Sequence, residues 1–154
     1  MQGNMKRGKL HSTLFGVAGE YLVAGELSRR GYLAAITLRN AKGVDIIATN
    51  STASRSVAIQ CKTRYSKGRC WVLGEKAETY YAANLFYVFV SLNFGEPADF
   101  HIVPSKTVAD TIKKHYRVWL KEPGVQGQAH RANPMRTFWD EKGKFHNRWD
   151  LLRL

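Results

Sequence analysis

The chain is short of cysteine, of acidic residues and of long apolar runs, and each shortage removes a class of protein. Two cysteines in 154 residues, Cys61 and Cys70, are too few for a disulfide scaffold. They also lack the CxxC spacing of a structural zinc site, so they read as reduced thiols. No apolar stretch approaches the roughly 20 residues that cross a bilayer, and Met1 to Lys9 has no apolar core of the kind a signal peptide needs. The expectation is a soluble, cytoplasmic protein with no membrane partner. There is neither a nucleophile-elbow serine nor a phosphate-cradling glycine loop, and His101, His115, His130 and His146 are too scattered to form a metal motif.

Acids number 12 against 24 Lys plus Arg, a formal charge of +12. On a small domain such an excess points to nucleic acid, because each phosphate neutralised releases counterions. An acidic protein partner is the other reading that charge alone leaves open. Hydrophobic residues at 44% and charged residues at 23% are near the globular average, which excludes wholesale disorder. The length suits one domain spanning 1–154.

Ser12 can cap a helix that runs to about Arg30 and stops at Gly31. Strands are predicted over Tyr32–Leu38, Val44–Thr49 and Val57–Arg64, separated by the polar turn Arg39–Gly43 and the Ser/Thr-rich turn Asn50–Ser56. The first half is thus a helix followed by a three-stranded meander. Beyond the basic loop Tyr65–Arg69 come a short strand over Trp71–Leu73, a helix-favouring stretch Glu75–Ala83, and strands at Leu85–Leu92 and Phe100–Val103. Pro104 and Ser105 introduce a helix to about Leu120, with Val108, Ile112, His115 or Tyr116, and Trp119 on one face. A long loop, Lys121–Asn133, leads to a tail without a clean period. This order gives an α/β or α+β domain with a mixed sheet flanked by helices.

Chemistry concentrates on the third strand. Alternation points Val57, Ile59, Cys61 and Thr63 one way and Ala58, Gln60, Lys62 and Arg64 the other. An amide and an ammonium two residues apart mark either an edge strand with one wet face or a site. Asp45 favours a site, since it lies in the apolar run Gly43-Val-Asp-Ile-Ile-Ala48, where a charge is costly unless paired or bound to metal. In a hairpin Asp45 lies beside Gln60 and Lys62. A carboxylate, an amide oxygen and a backbone carbonyl are hard ligands suited to magnesium, and a neighbouring ammonium can position water. The first helix offers two more acids. Glu26 has Arg29 and Arg30 at i+3 and i+4 and reads as a surface ion pair. Glu20 has no cation at those spacings, on a helix whose apolar residues cover most of the wheel. Its partner is therefore either the site or a distant Lys or Arg.

Glu20 in a first helix, Gly43-Val-Asp45 opening a strand and Ile59-Gln60-Cys61-Lys62 on the next make about the first 70 residues resemble the PD-(D/E)XK nuclease superfamily. The nearest patterns are archaeal Holliday-junction resolvases, which share the early helix Glu, and modified-DNA restriction nucleases whose second motif carries Gln. The resemblance implies a restriction-endonuclease-like α/β fold, with a core at 12–103 and a C-terminal helix and basic aromatic tail at 104–154. By matching position it makes Asp45 the principal metal ligand, puts Gln60 where the second acid usually stands, gives Lys62 the attacking water, and makes Glu20 the helix ligand. The Cys61 backbone carbonyl would be a further metal ligand. The implied cofactor is Mg2+ or Mn2+, the partner DNA, and the activity that of a metal-dependent endodeoxyribonuclease; the resemblance leaves room for a homodimer.

Two positions depart from the pattern. Val44 replaces the Pro before the Asp, and Gln60 removes one negative charge, which should weaken metal binding. A non-catalytic DNA-binding protein of the same fold, or an RNA-cleaving nuclease such as a toxin, are therefore the alternatives. Arg39 and Lys42 before Asp45, and Arg64, Lys67 and Arg69 after Lys62, flank the same end of the sheet and could hold phosphates; each taken singly is equally a solvated cation. In the tail, Arg136, Phe138, Trp139, Lys142, Lys144, Phe145, His146, Arg148 and Trp149 interleave rings and cations, as a nucleic-acid groove or as core, with Trp149-Asp-Leu-Leu152 a docking segment.

Overall fold

A computed structural model of the chain describes residues 12–38, 43–93 and 96–154. Helix α1 (Ser12–Arg29) leads into strands β1 (Leu33–Ile36), β2 (Ile46–Thr49) and β3 (Ser56–Arg64). Then follow β4 (Cys70–Gly74), β5 (Leu85–Ser91), β6 (Asp99–Pro104), α2 (Ser105–Lys121) and β7 (Met135–Trp139), with a final 3-10 turn at Trp149–Leu152. The main sheet has the order β1-β2-β3-β5-β6. Its pairs are antiparallel except for β3 with β5, which run parallel. It is the mixed α/β sheet flanked by helices that the order of elements predicts.

Strand β5 (LFYVFVS) is buried along its whole length, because both faces of the sheet are covered there. On one face Phe86, Val88 and Val90 join Val23 and Leu27 of α1, Ile46, Ile59 and the terminal Trp149 and Leu152. On the other, Tyr87 and Phe89 pack with Val108 and Ile112 of α2 and with Trp71, Leu73 and Phe138. The last three come from a two-stranded ribbon in which β4 pairs with the remote β7, from Cys70↔Trp139 to Gly74↔Met135. Among the described residues no helix is long and apolar enough to cross a membrane.

Three expectations need correction. The stretch Glu75–Ala83 is not a helix; only Glu75–Glu78 winds, as a 3-10 turn. Its continuation is held by tertiary bonds, since Ser105 Oγ accepts from the Ala82 N–H and donates to the Ala82 carbonyl, each at 3.1 Å. The tail does have a period: β7 alternates, with Arg136 and Phe138 inward. A buried cation disguised it. Helix α1 is not buried on most of its wheel either, because the sheet covers one side only and leaves Leu14, Tyr21 and Leu22 exposed. The turn Arg39–Lys42 and the Ser12 side chain lie outside the described residues.

Candidate functional site

The β2–β3 ladder ends at the pair Ile46↔Ile59, with one further bond from the Asp45 N–H to the Ile59 carbonyl at 2.8 Å. The next donor on β3, the Cys61 N–H, meets no strand backbone there and gives its hydrogen bond to Asp45 Oδ2 at 2.7 Å. The carboxylate thus takes the place of a missing ladder carbonyl. On its other side, the Thr37 N–H donates to the Asp45 carbonyl at 2.9 Å. Backbone and side chain together fix this acid at the point where the strands part. Among the described residues these bonds engage one of the two carboxylate oxygens, Oδ2.

Helix α1 brings Glu20 to the same place. Gly19 lies so close to β3 that an added Cβ would sit 1.9 Å from Thr63 Oγ1, so only glycine lets the helix approach this near. Glu20, its neighbour, lines a cavity of about 190 Å3 with Asp45, Thr37 and Val17. Glu26, one and a half turns on, pairs with Arg29 and Arg30 as its spacing predicts. Hydrogen bonds from Arg29 and Arg30 hold its carboxyl below the usual range.

Gln60 and Lys62 are half-buried and line a second cavity, of about 660 Å3, together with Gly43 and Tyr87; among the described residues it shares no lining side chain with the cavity of Asp45 and Glu20. Cys61 between them is buried against α1. Burial pushes its thiol well up, and the nearby Asp45 and Glu20 carboxylates push it further, against the pull of Lys62. The two acids and the ammonium therefore all act on one buried residue, whose sulfur stays protonated. Burial, with Tyr80 and Asp45 adding to it, pushes the Tyr87 phenol up to about 12, so the wall beside Gln60 is neutral.

Sequence reasoning missed Lys76 and Tyr80, which line this second cavity. Tyr80 presses on Gly43, where a Cβ would come within 2.6 Å of its ring. The φ of +76° at Gly43 was the legible half of that signal; the close ring was not, for it comes from across the sheet.

Of the predicted phosphate contacts, Arg64 and Arg69 line a groove of about 700 Å3 together with Lys62 and Trp139. Lys67 is exposed beside it, and Arg39 and Lys42 lie outside the described residues. The tail divides. Phe138 and Trp149 are core, and Arg136 is buried, paired with Glu78 and set 3.4 Å over the Tyr116 ring. Trp139 remains half exposed.

The donor set here is all oxygen: two carboxylates, a carboxamide and backbone carbonyls, the chemistry preferred by Mg2+ and Mn2+. Among the described residues no three His, Cys, Asp or Glu side chains cluster at metal-binding range. The fit is to a cation that keeps several waters.

Among solved structures, the chain aligns with a Holliday junction resolvase from the archaeal hyperthermophile Archaeoglobus fulgidus at a TM-score of 0.47 and 14% sequence identity, over 81% of this chain and 84% of that one. No protein-family model matches the sequence, and no curated protein matches it.

Proposed function

We propose that this chain is a single-domain, Mg2+- or Mn2+-dependent endonuclease that hydrolyses phosphodiester bonds in DNA, with a PD-(D/E)XK-type site. The observation that carries the reading is the Asp45 carboxylate, bonded to the Cys61 N–H and lining a cavity with Glu20, while Gln60 and Lys62, the neighbours of Cys61 on β3, line a second cavity. In this reading Asp45, Glu20, the Gln60 amide oxygen and the Cys61 carbonyl hold the metal. When bound, the ion supplies positive charge beside the scissile phosphate and makes water a better nucleophile.

The chain's own residues do the rest. Asp45, fixed by its backbone bonds, presents an oxygen without reorganisation. Lys62, the ammonium two residues beyond Gln60, orients the attacking water and offsets charge that builds on the phosphate. Arg64, Lys67 and Arg69, with Arg39 and Lys42, hold the DNA backbone on either side.

The test is nicking of supercoiled plasmid with each metal in turn. Wild type should nick, and Lys62→Ala should lose on the order of a hundredfold or more in rate, with DNA affinity within about twofold, since it removes one phosphate contact of many. Glu20→Gln should also slow cleavage, while Glu26→Gln should not. Gln60 favours a second reading, a DNA-binding protein that does not cleave. Tight DNA binding with no metal-dependent nicking by wild type would establish that reading instead.

A further inference from the structure

The groove lined by Lys62 is also lined by an aromatic ring, Trp139, that the nuclease reading does not use. The β4–β7 ribbon turns Trp71, Leu73, Arg136 and Phe138 inward and the alternate residues outward. Its outer face therefore shows Trp139 (49% exposed), Val72 (61%) and Met135 (58%) together. The ribbon underneath is rigid. Phe138 stacks on Phe89 at 4.6 Å between centroids, and the Trp71 indole donates to the Val90 carbonyl at 3.0 Å. Trp139 is thus an exposed ring on a fixed support.

Its surroundings are cationic. Arg64 and Arg69 share the groove with Trp139. Arg64 donates to the Cys70 carbonyl and to Ser66 Oγ, and Arg69 to the Glu141 carbonyl, all neutral acceptors. Among the described residues neither guanidinium is paired with a carboxylate, and Arg64 Nε is buried without a hydrogen-bond partner. Flat aromatic surface flanked by uncompensated cations is complementary to a nucleic-acid strand, whose phosphates meet the cations while a base covers the ring. In a continuous duplex each base face is hidden by its neighbours, so such a contact requires an unstacked base.

We infer that Trp139 is a stacking platform for an unpaired base, and that the groove takes a DNA strand with a single-stranded element in preference to uninterrupted duplex. This rests on the reading of the groove as the path of the DNA, and it names the substrate class for that reading. Val72, which lines the same groove, borders the base, while Arg64 and Arg69 hold the adjacent phosphates.

The experiment is a metal-free titration of the full chain with a short oligothymidylate and with a blunt duplex of equal length, read by anisotropy and by tryptophan emission. Trp71 and Trp149 are buried, so emission changes report Trp119 and Trp139. The single strand should quench wild type and bind more tightly than the duplex. Trp139→Ala should bind the strand about tenfold more weakly and the duplex within about twofold of wild type, whereas Trp139→Phe should keep most of the affinity and lose most of the quench. No quench by the strand, or equal losses on strand and duplex, would overturn the inference. Should the Ala variant not fold, the wild-type quench and the Phe variant decide it, with a Phe variant that quenches like wild type counting against. Plasmid nicking separates this from the function above. Ring-dependent strand binding without any nicking supports the platform and removes the nuclease; nicking unchanged by Trp139→Ala, with no strand preference, does the reverse.

Discussion

The two faces of the main sheet are closed by different means. On the α1 side the seam is apolar side chains, Val23 and Leu27 against Ile46, Ile59, Val88 and Ile102, with Trp149 and Leu152 of the terminal turn added to the same cluster. On the α2 side the covering pieces arrive from far along the chain and are fastened by buried polar joints. His101 Nδ1 lies 2.6 Å from Asp140 Oδ2, and the same carboxylate accepts the Lys144 and Phe145 N–H groups at 2.8 and 3.0 Å. Arg136 is fastened to Glu78 and to the Asn133 carbonyl in the same layer. Local elements can be closed by hydrophobic area alone, which is non-directional; segments of remote sequence and irregular shape are set in register by directional bonds. The candidate site lies on the rim between the two, where Asp45 replaces the last rung of a ladder.

If that contrast is right, the two faces fail differently. Asp140→Ala strips the partner from the buried His101 and from two part-buried backbone N–H groups and should cost about 4 kcal/mol in urea unfolding; a loss below about 1 kcal/mol would mean the joint is ornamental. Leu27→Ala leaves a void on the apolar side and should cost about 3 kcal/mol.

A change of pH sharpens the comparison. Burial holds the His101 imidazole below its ordinary 6.5, although Asp140 pulls the other way. Its folded pKa is thus below the unfolded one, so its contribution is complete above that ordinary value and is lost as pH falls toward the lower folded value. The urea midpoint should drop between about pH 7.5 and 5.5, Leu27→Ala should show the same drop, and His101→Gln should flatten it. The smallest effect belongs to neither face: Glu26→Gln, on the surface of α1, should cost about 0.5 kcal/mol or less.

The same contrast explains what the sequence disclosed. Apart from the terminal Trp149 and Leu152, the α1 side is written in short-range pattern: Gly31 at the end of α1, the succession of β1, β2 and β3, and the alternation that sends Cys61 inward. The α2 side depends on pairings the local pattern does not carry. The short strand at Trp71–Leu73 was legible, but its partner was not, because Arg136 occupies an inward position of β7 and breaks the apolar period. Glu75–Ala83 has helical composition, yet Ser105 claims the Ala82 backbone. Asp45, Glu20, Gln60 and Lys62 could be singled out because each is a polar residue at odds with its apolar neighbours. Tyr80 and Trp139 could not, since an aromatic residue is at home in a core or at its edge.

The measurement that bears most directly on the rim site is a Mn2+ titration of plasmid nicking by wild type, Asp45→Ala and Gln60→Glu. The account predicts no nicking by Asp45→Ala at any metal concentration. It also predicts half-maximal nicking by Gln60→Glu at lower metal than wild type, because the added carboxylate restores a charged ligand. Nicking by Asp45→Ala at the wild-type rate, or a Gln60→Glu curve that needs as much metal as wild type, would contradict it.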